Sequence, residues 1–207
     1  MKNLTIHKRA KQVVLLSLLI ISTLFVFAAC NNSTAEAQDT ASNNIHKTAA
    51  VAEPLSEVDK VLDIEGYGAS GALADTELSI VDMLMYAMQD EYLAHSEYEL
   101  IIDKFGEQNP YVNIMAAEEN HIVSLTEIYT AYGLSVPEDI SDEYVVIPDS
   151  LLEAAKTGVQ AEIDNIAMYE RFLGYDLPED IKIVFESLKA ASENHLEAFE
   201  RQVDKLS

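Results

Sequence analysis

From Ser79 to the end of the chain, apolar residues recur every three or four positions in four blocks, each bounded by helix start and stop signals. The first block predicts a helix from about Ser79 to Lys104, with Ser79 and Asp82 as a capping box and Gly106 just past the end. The second predicts one from about Pro110 to Tyr132, with Asn109 as cap, Pro110 at the first helical position and Gly133 as terminator. The third runs from about Ser150 to Leu173 and stops at Gly174, and the fourth from about Pro178 to Leu206 with Pro178 in its first turn. A strand-like run occurs only at Tyr144 to Ile147, inside the longest connection. The fold class is therefore all-α.

The connections decide how the helices pair. A few residues join the first helix to the second and the third to the fourth, and loops that short force antiparallel neighbours. About 17 residues join the second to the third; at about 3.3 Å each they reach beyond about 50 Å, enough to return along a helix of about 34 Å. That is a four-helix bundle with one long crossover.

Ahead of the bundle the pattern changes twice. Lys2, Lys8, Arg9 and Lys11 stand without an acid, Val13 to Ala29 is almost wholly apolar, and Ala28-Ala29-Cys30 follows. Residues 1–29 read as an export signal, and the single cysteine behind two small residues resembles the lipobox of bacterial lipoproteins, which makes Cys30 the lipidated first residue of the mature chain. An uncleaved anchor is the alternative, because about 17 apolar residues lie near the lower limit for spanning a bilayer. Both readings hold the body outside the cytoplasm, at a membrane in the cell envelope. Residues 30–75 are rich in Ser, Thr, Ala and Asn and keep no apolar period; they read as a flexible tether with a short helix around Leu55 to Leu62. Residues 76–207 form the bundle.

With Cys30 lipidated no thiol remains for a disulfide, an iron–sulfur cluster or a Cys-ligated zinc, so any metal must use Asp, Glu and His. Removing the leader's four basic residues from 13 Lys+Arg against 36 Asp+Glu leaves 9 against 36, net −27. Such a surface repels nucleic acid and attracts cations.

Each predicted helix carries polar groups within its apolar stripe. In the second, Glu118 and His121 interrupt Tyr111, Ile114, Met115, Ile122, Leu125, Ile128 and Tyr132. Their E-x-x-H spacing sets both on one face, one turn apart. Glu91 and His95 lie among Leu84, Met88, Tyr98 and Ile102; Glu162 lies among Ala155, Val159, Ile166, Tyr169 and Leu173; His195 lies among Ile181, Phe185, Leu188, Phe199 and Val203. A carboxylate buried in mid-helix needs a partner, and a metal ion is a common one.

Internal repetition links these positions. "AEENHI" at Ala117 to Ile122 matches "ASENHL" at Ala191 to Leu196, and "EYLAHSEYE" at Glu91 to Glu99 matches "EIDNIAMYE" at Glu162 to Glu170. The chain reads as two helix hairpins of one pattern, and stacking them about a pseudo-twofold axis converges Glu91, Glu118, His121, Glu162 and His195 at mid-height.

A Glu on one helix and E-x-x-H on the next, twice over, resembles the di-iron signature of the ferritin-like superfamily. The segment from about Ile80 to Val203, with "DEYLAHSEY", "AAEENH", "GVQAEIDNI" and "SENHLEAF", is similar to the ferritin-like, rubrerythrin-like proteins grouped as DUF2202. The resemblance implies Glu91 and Glu162 as terminal ligands, Glu118 as a bridge, and His121 and His195 as nitrogen ligands. A sixth ligand is expected at position 192, where this chain has Ser192; Glu193 points to roughly the opposite helix face. His95 and Asn165 are candidates to fill that gap. Tyr98 and Tyr169, seven residues after each first Glu, are expected to donate hydrogen bonds to ligand carboxylates.

The resemblance further implies iron, as one or two ions with manganese or zinc as alternatives, and Fe(II) oxidation or reduction of peroxide or oxygen with an external electron donor. Fold analogy adds a homodimer. A non-catalytic lipoprotein that captures metal, or a structural envelope lipoprotein, stands beside the enzyme reading.

Overall fold

The computed structural model describes residues 54–56 and 64–207. The export signal of residues 1–29, Cys30, and most of the expected tether, including the helix expected around Leu55 to Leu62 apart from residues 55–56, lie outside the described residues. Among the described residues there are five α-helices and one 3-10 turn, and no strand: α1 Gly68–Ala74, α2 Ile80–Phe105, α3 Tyr111–Ala131, the 3-10 turn Ser141–Glu143, α4 Leu151–Phe172 and α5 Glu179–Leu206. The protein is all-α. No helix among these residues is long and apolar enough to cross a membrane.

The four long helices begin and end within a residue or two of the positions the apolar period sets, because the local caps dictate them. Ser79 and Asp82 close a reciprocal capping box, Ser79 Oγ accepting from the Asp82 amide at 3.1 Å and the Asp82 carboxylate from the Ser79 amide at 2.8 Å. Ser150 caps α4 through the Glu153 amide. Two expectations shift. Pro110, expected as the first helical residue behind an Asn109 cap, is itself the N-cap of α3, and no side chain caps that end. Pro178 likewise precedes α5 as its N-cap.

Helix pairing follows the loop lengths. α2 packs on α3 and α4 on α5, and the two hairpins meet through α3 against α5 and α2 against α4. The connection from α3 to α4 descends along α2: Tyr92 donates to the Pro137 carbonyl, Ser96 and Ser141 hydroxyls meet at 2.7 Å, and Lys104 donates to the Pro148 carbonyl at 2.6 Å. Tyr144, in the run with strand character, stacks on Tyr67 with ring centroids 4.0 Å apart.

The stretch before Ser79 departs from expectation. Within residues 64–75, placed in the tether because their apolar positions keep no period, Gly68–Ala74 form α1, which packs on α2 and α4. What makes this possible is smallness: Gly68, Ala69, Gly71 and Ala72 are buried, and a Cβ on Gly71 would stand 2.7 Å from the Tyr86 ring. Gln89 and Asp90 accept from the amides of Gly68 and Ala69 at 3.0 and 2.7 Å, supplying the cap that α1 lacks in its own sequence. An Arg171 guanidinium also donates to the Ala72 carbonyl.

Two apolar layers result. One joins Leu84 and Met88 to Leu125, Ile128, Met168, Phe172, Ile181 and Phe185, with α1 above; the other joins Tyr98 and Ile101 to Tyr111, Ile114, Ala154 and Phe199. Between them on all four long helices lies a layer of buried polar residues.

Candidate metal centre

That middle layer holds Glu91 on α2, Glu118 and His121 on α3, Glu162 on α4, and His195 on α5. Glu91 is 1 % exposed, Glu118 and Glu162 are 3 % exposed, and His195 is 9 % exposed. The apolar residues above and below leave each carboxylate little water, so their partners are one another. Glu91, Glu118 and His121 form one triad and Glu118, Glu162 and His195 a second; within each triad the ligand atoms lie within 4.8 Å of one another. All five residues expected as ligands are thereby brought together.

Glu118 is common to both triads. Its Oε2 is 2.6 Å from His121 Nδ1, and its Oε1 is 3.3 Å from His195 Nδ1. His121 Nδ1 also lies 3.0 Å from Glu91 Oε2, and His195 Nδ1 lies 3.4 Å from Glu162 Oε1. The two imidazole rings stack with centroids 5.8 Å apart. Each ring therefore presents the same nitrogen to two carboxylates.

The tyrosines cross between the hairpins. Tyr169 on α4 donates to Glu91 Oε1 at 2.7 Å, and Tyr98 on α2 donates to Glu162 Oε1 at 3.3 Å. This reciprocity is what the repeat implies: Glu91 corresponds to Glu162, Tyr98 to Tyr169 and His121 to His195. Ser192 breaks it. Its buried hydroxyl donates to the Leu188 carbonyl at 3.1 Å, one turn back on its own helix, and takes no part in either triad. Glu193 is exposed and pairs with Lys189 at 3.2 Å.

Of the candidates for filling the gap at Ser192, one is turned away and the other is buried close to Glu162 in sequence. His95 lies 3.5 Å from Glu119, whose side chain is 64 % exposed, and joins neither triad. Asn165 is buried one turn after Glu162, and its Oδ1 accepts no hydrogen bond.

Electrostatics follow from burial and contact. Burial pushes the Glu91 carboxyl up, and the neighbouring Glu118 charge adds to the rise. Burial pushes Glu118 up as well, but hydrogen bonds from both histidines outweigh it and hold that carboxylate well below the usual range. Burial also raises Glu162. For the imidazoles burial acts downward, and the carboxylates win, lifting His121 to about 10 and His195 to about 9. Without metal, these shifts favour charged imidazoles and a charged Glu118 and work against charge on Glu91 and Glu162.

The donor set fits a divalent cation. Glu162 Oε2 is buried and accepts no hydrogen bond. An orphaned carboxylate oxygen in an apolar layer costs about 1–3 kcal/mol or more, and a cation removes that cost. Oxygen and imidazole donors together suit iron, manganese or zinc.

Two half-buried acids, Asp90 and Glu97, carried no recognisable signal in the sequence. Asp90 is pushed up to about 7 by burial, against the bond from Ala69, and Glu97 to about 7 by burial alone, with its Oε1 unpartnered. Asp82 is buried at 3 % exposure while serving as the α2 capping residue. Recognising Asp90 required α1, whose amide it binds.

No family model matches the chain. The uncharacterized protein MJ0754 of Methanocaldococcus jannaschii is 27 % identical over 136 residues, covering 58 % of this chain and 73 % of that protein. A crystal structure of the hypothetical protein MJ0754 aligns with a TM-score of 0.55 at 23 % identity, over 64 % of this chain and 85 % of that one. The likeness to that crystal structure is one of fold.

Proposed function

We propose that this chain is a ferritin-like four-helix bundle of the DUF2202, rubrerythrin-like type, held outside the cytoplasm by a lipid on Cys30. It binds iron, or manganese or zinc in its place, through Glu91, Glu118, His121, Glu162 and His195. The observation that carries the reading is Glu118, one buried carboxylate whose two oxygens serve two Glu/His triads. Iron bound there supplies one-electron exchange and an affinity for oxygen and peroxide.

The protein's own groups set the conditions for that chemistry. Tyr169 and Tyr98 fix the rotation of Glu91 and Glu162, so those carboxylates are oriented before a cation arrives. The apolar layers exclude water from both sides and strengthen every charge interaction between them. Cation binding displaces the Nδ1 protons of His121 and His195, so loading releases protons and tightens as pH rises. Residues without thiol chemistry surround the site, so repeated turnover draws electrons from an external donor.

Ser192 favours the second reading, capture of a metal ion without turnover. A carboxylate there would mirror Glu118, and its replacement by a hydroxyl bonded to Leu188 removes one anionic ligand.

Elemental analysis of the chain from residue 31 onward, after loading with Fe(II), Mn(II) or Zn(II), tests the site. At least one ion per chain is expected, and loss of that ion in Glu118→Ala with His121→Ala. No metal uptake by the folded parent would end the reading. Fe(II) oxidation under oxygen or peroxide then separates enzyme from capture, since a rate equal to that of free Fe(II) leaves only capture. Incorporation of a palmitate analogue in a bacterial host, abolished by Cys30→Ala, tests the anchor.

A further inference from the structure

A cleft of about 560 Å³ opens between the first turns of α3 and the last turns of α5. His195 forms part of its wall, together with Asn109, Asn113, Arg201, Gln202 and Lys205. In so acidic a chain, net −23, this lining is out of character: it contains no Asp or Glu. Of the seven Lys and Arg residues between 64 and 207, two stand here.

The inner wall adds an independent sign of a ligand. Gln202 is 6 % exposed, yet its side-chain amide bonds to no other described residue and faces the cleft. That amide opens onto solvent in the cleft, so its donor and its acceptor are both free for a ligand. α3 begins at the same cleft; the Val112, Asn113 and Ile114 amides there bond to the Gln108 and Pro110 carbonyls, and no acid stands in its first turn to oppose an anion. Arg201 is shared with Glu197 at 3.3 Å, but both side chains are about two-thirds exposed and such pairs exchange readily.

We propose that this cleft binds a small oxyanion, a free carboxylate or an inorganic oxyanion, held by Arg201, Lys205 and the Gln202 amide against the edge of His195. The volume suits a molecule of a few to about a dozen heavy atoms. Distant acids are screened beyond about 8 Å at physiological salt, and of the near ones Glu118 and Glu162 are engaged by His195 and Glu197 by Arg201. The binding rests on the cleft alone; its bearing on chemistry rests on the metal reading, since His195 is at once a ligand candidate and the wall of the cleft.

Calorimetric titration of the full-length chain in mild detergent with citrate, and separately with inorganic phosphate, tests this. Saturable binding of at least one probe is expected, weakened about tenfold or more in the Arg201→Gln, Lys205→Gln double variant. Gln202→Leu keeps both charges and removes the amide, and it too should weaken binding. Citrate alone binding identifies a carboxylate site, and phosphate binding identifies an inorganic oxyanion site. Absence of saturation with both probes, or equal affinity in the double variant, overturns the proposal. Metal content measured on the same samples keeps the readings apart: metal uptake without an anion response sinks only the cleft, and anion binding without metal uptake sinks only the metal centre.

Discussion

Replacing Glu118 by Gln probes the shared carboxylate with almost no change of shape. In the parent, Oε2 accepts from His121 and Oε1 from His195. A glutamine side chain has one carbonyl oxygen and one amide NH₂, so it can accept from only one imidazolium and turns a donor toward the other. That second ring keeps a single carboxylate partner, Glu91 for His121 or Glu162 for His195, and its charge is held less firmly. Losing one charge-assisted hydrogen bond costs about 1.5–3 kcal/mol, and each ring keeps its other carboxylate, so the metal-free variant should lose about 1.5–3 kcal/mol at pH 6. Urea unfolding of both proteins measures this. As pH passes about 9 to 10 the parent imidazoles shed their protons too, and the gap between the two proteins should narrow. The five imidazoles can be followed by NMR titration: in the parent the two in the site titrate late, and in the variant one of them should titrate at lower pH than in the parent, because only Glu91 or Glu162 is left to oppose burial. If both still titrate near 9 to 10 in the variant, or the loss at pH 6 is below about 1 kcal/mol, Glu118 is not what holds the imidazolium pair and the reasoning fails.

Metal-free stability should fall as pH rises from about 5 to about 10. His121, His195, Glu91 and Glu162 all have folded-state values above their unfolded ones, so their stabilisation is complete below the unfolded values and is lost on passing the folded ones, at up to about 1.4 kcal/mol per pH unit per proton. Thermal melts across that range check the sign, and His121→Gln should flatten the slope. Glu118 runs the other way, and its contribution is lost only as pH falls below the usual carboxylate range. Tyr169→Phe strips the 2.7 Å donor from Glu91 and should cost about 1–3 kcal/mol, more than Tyr98→Phe, whose bond to Glu162 spans 3.3 Å; denaturant midpoints of the two variants rank them. Gly158→Ala should destabilise α4 by about 1–3 kcal/mol, against the gain of about 1 kcal/mol usual in mid-helix, because the new Cβ would lie 2.9 Å from the Phe199 ring; calorimetry gives the sign.

The long helices were legible because their evidence is local: a capping box at Ser79 and Asp82, glycines at 106 and 133, and an apolar period that resumes on either side of the polar positions over five or more turns. The site was legible for a different reason, the repeat, which ties Glu91 to Glu162 and His121 to His195 across seventy or more positions. What escaped was α1. A seven-residue helix of Gly, Ala, Ser and Leu has no period to detect, and its stability comes from Gln89, Asp90 and Tyr86, all on another helix. The role of Asp90 escaped with it. The expectation that Asn109 caps α3 failed for a related cause: cap preferences rank residues, but the backbone at Pro110 decides where the helix begins.

Glu118 belongs to both triads, so on the proposed metal reading the two halves of the centre would not fill as strangers. Whatever sets the rotation of that carboxylate at Glu91 and His121 also sets the oxygen offered to Glu162 and His195. A cation titration will therefore depart from the isotherm of two equal, independent sites, either by steepening or by splitting into two separated affinities, and the departure should disappear in Glu118→Gln. In a duplicated hairpin that kept an acid at both positions, each half could own a carboxylate; with Ser192 opposite, cooperativity is vested in one side chain.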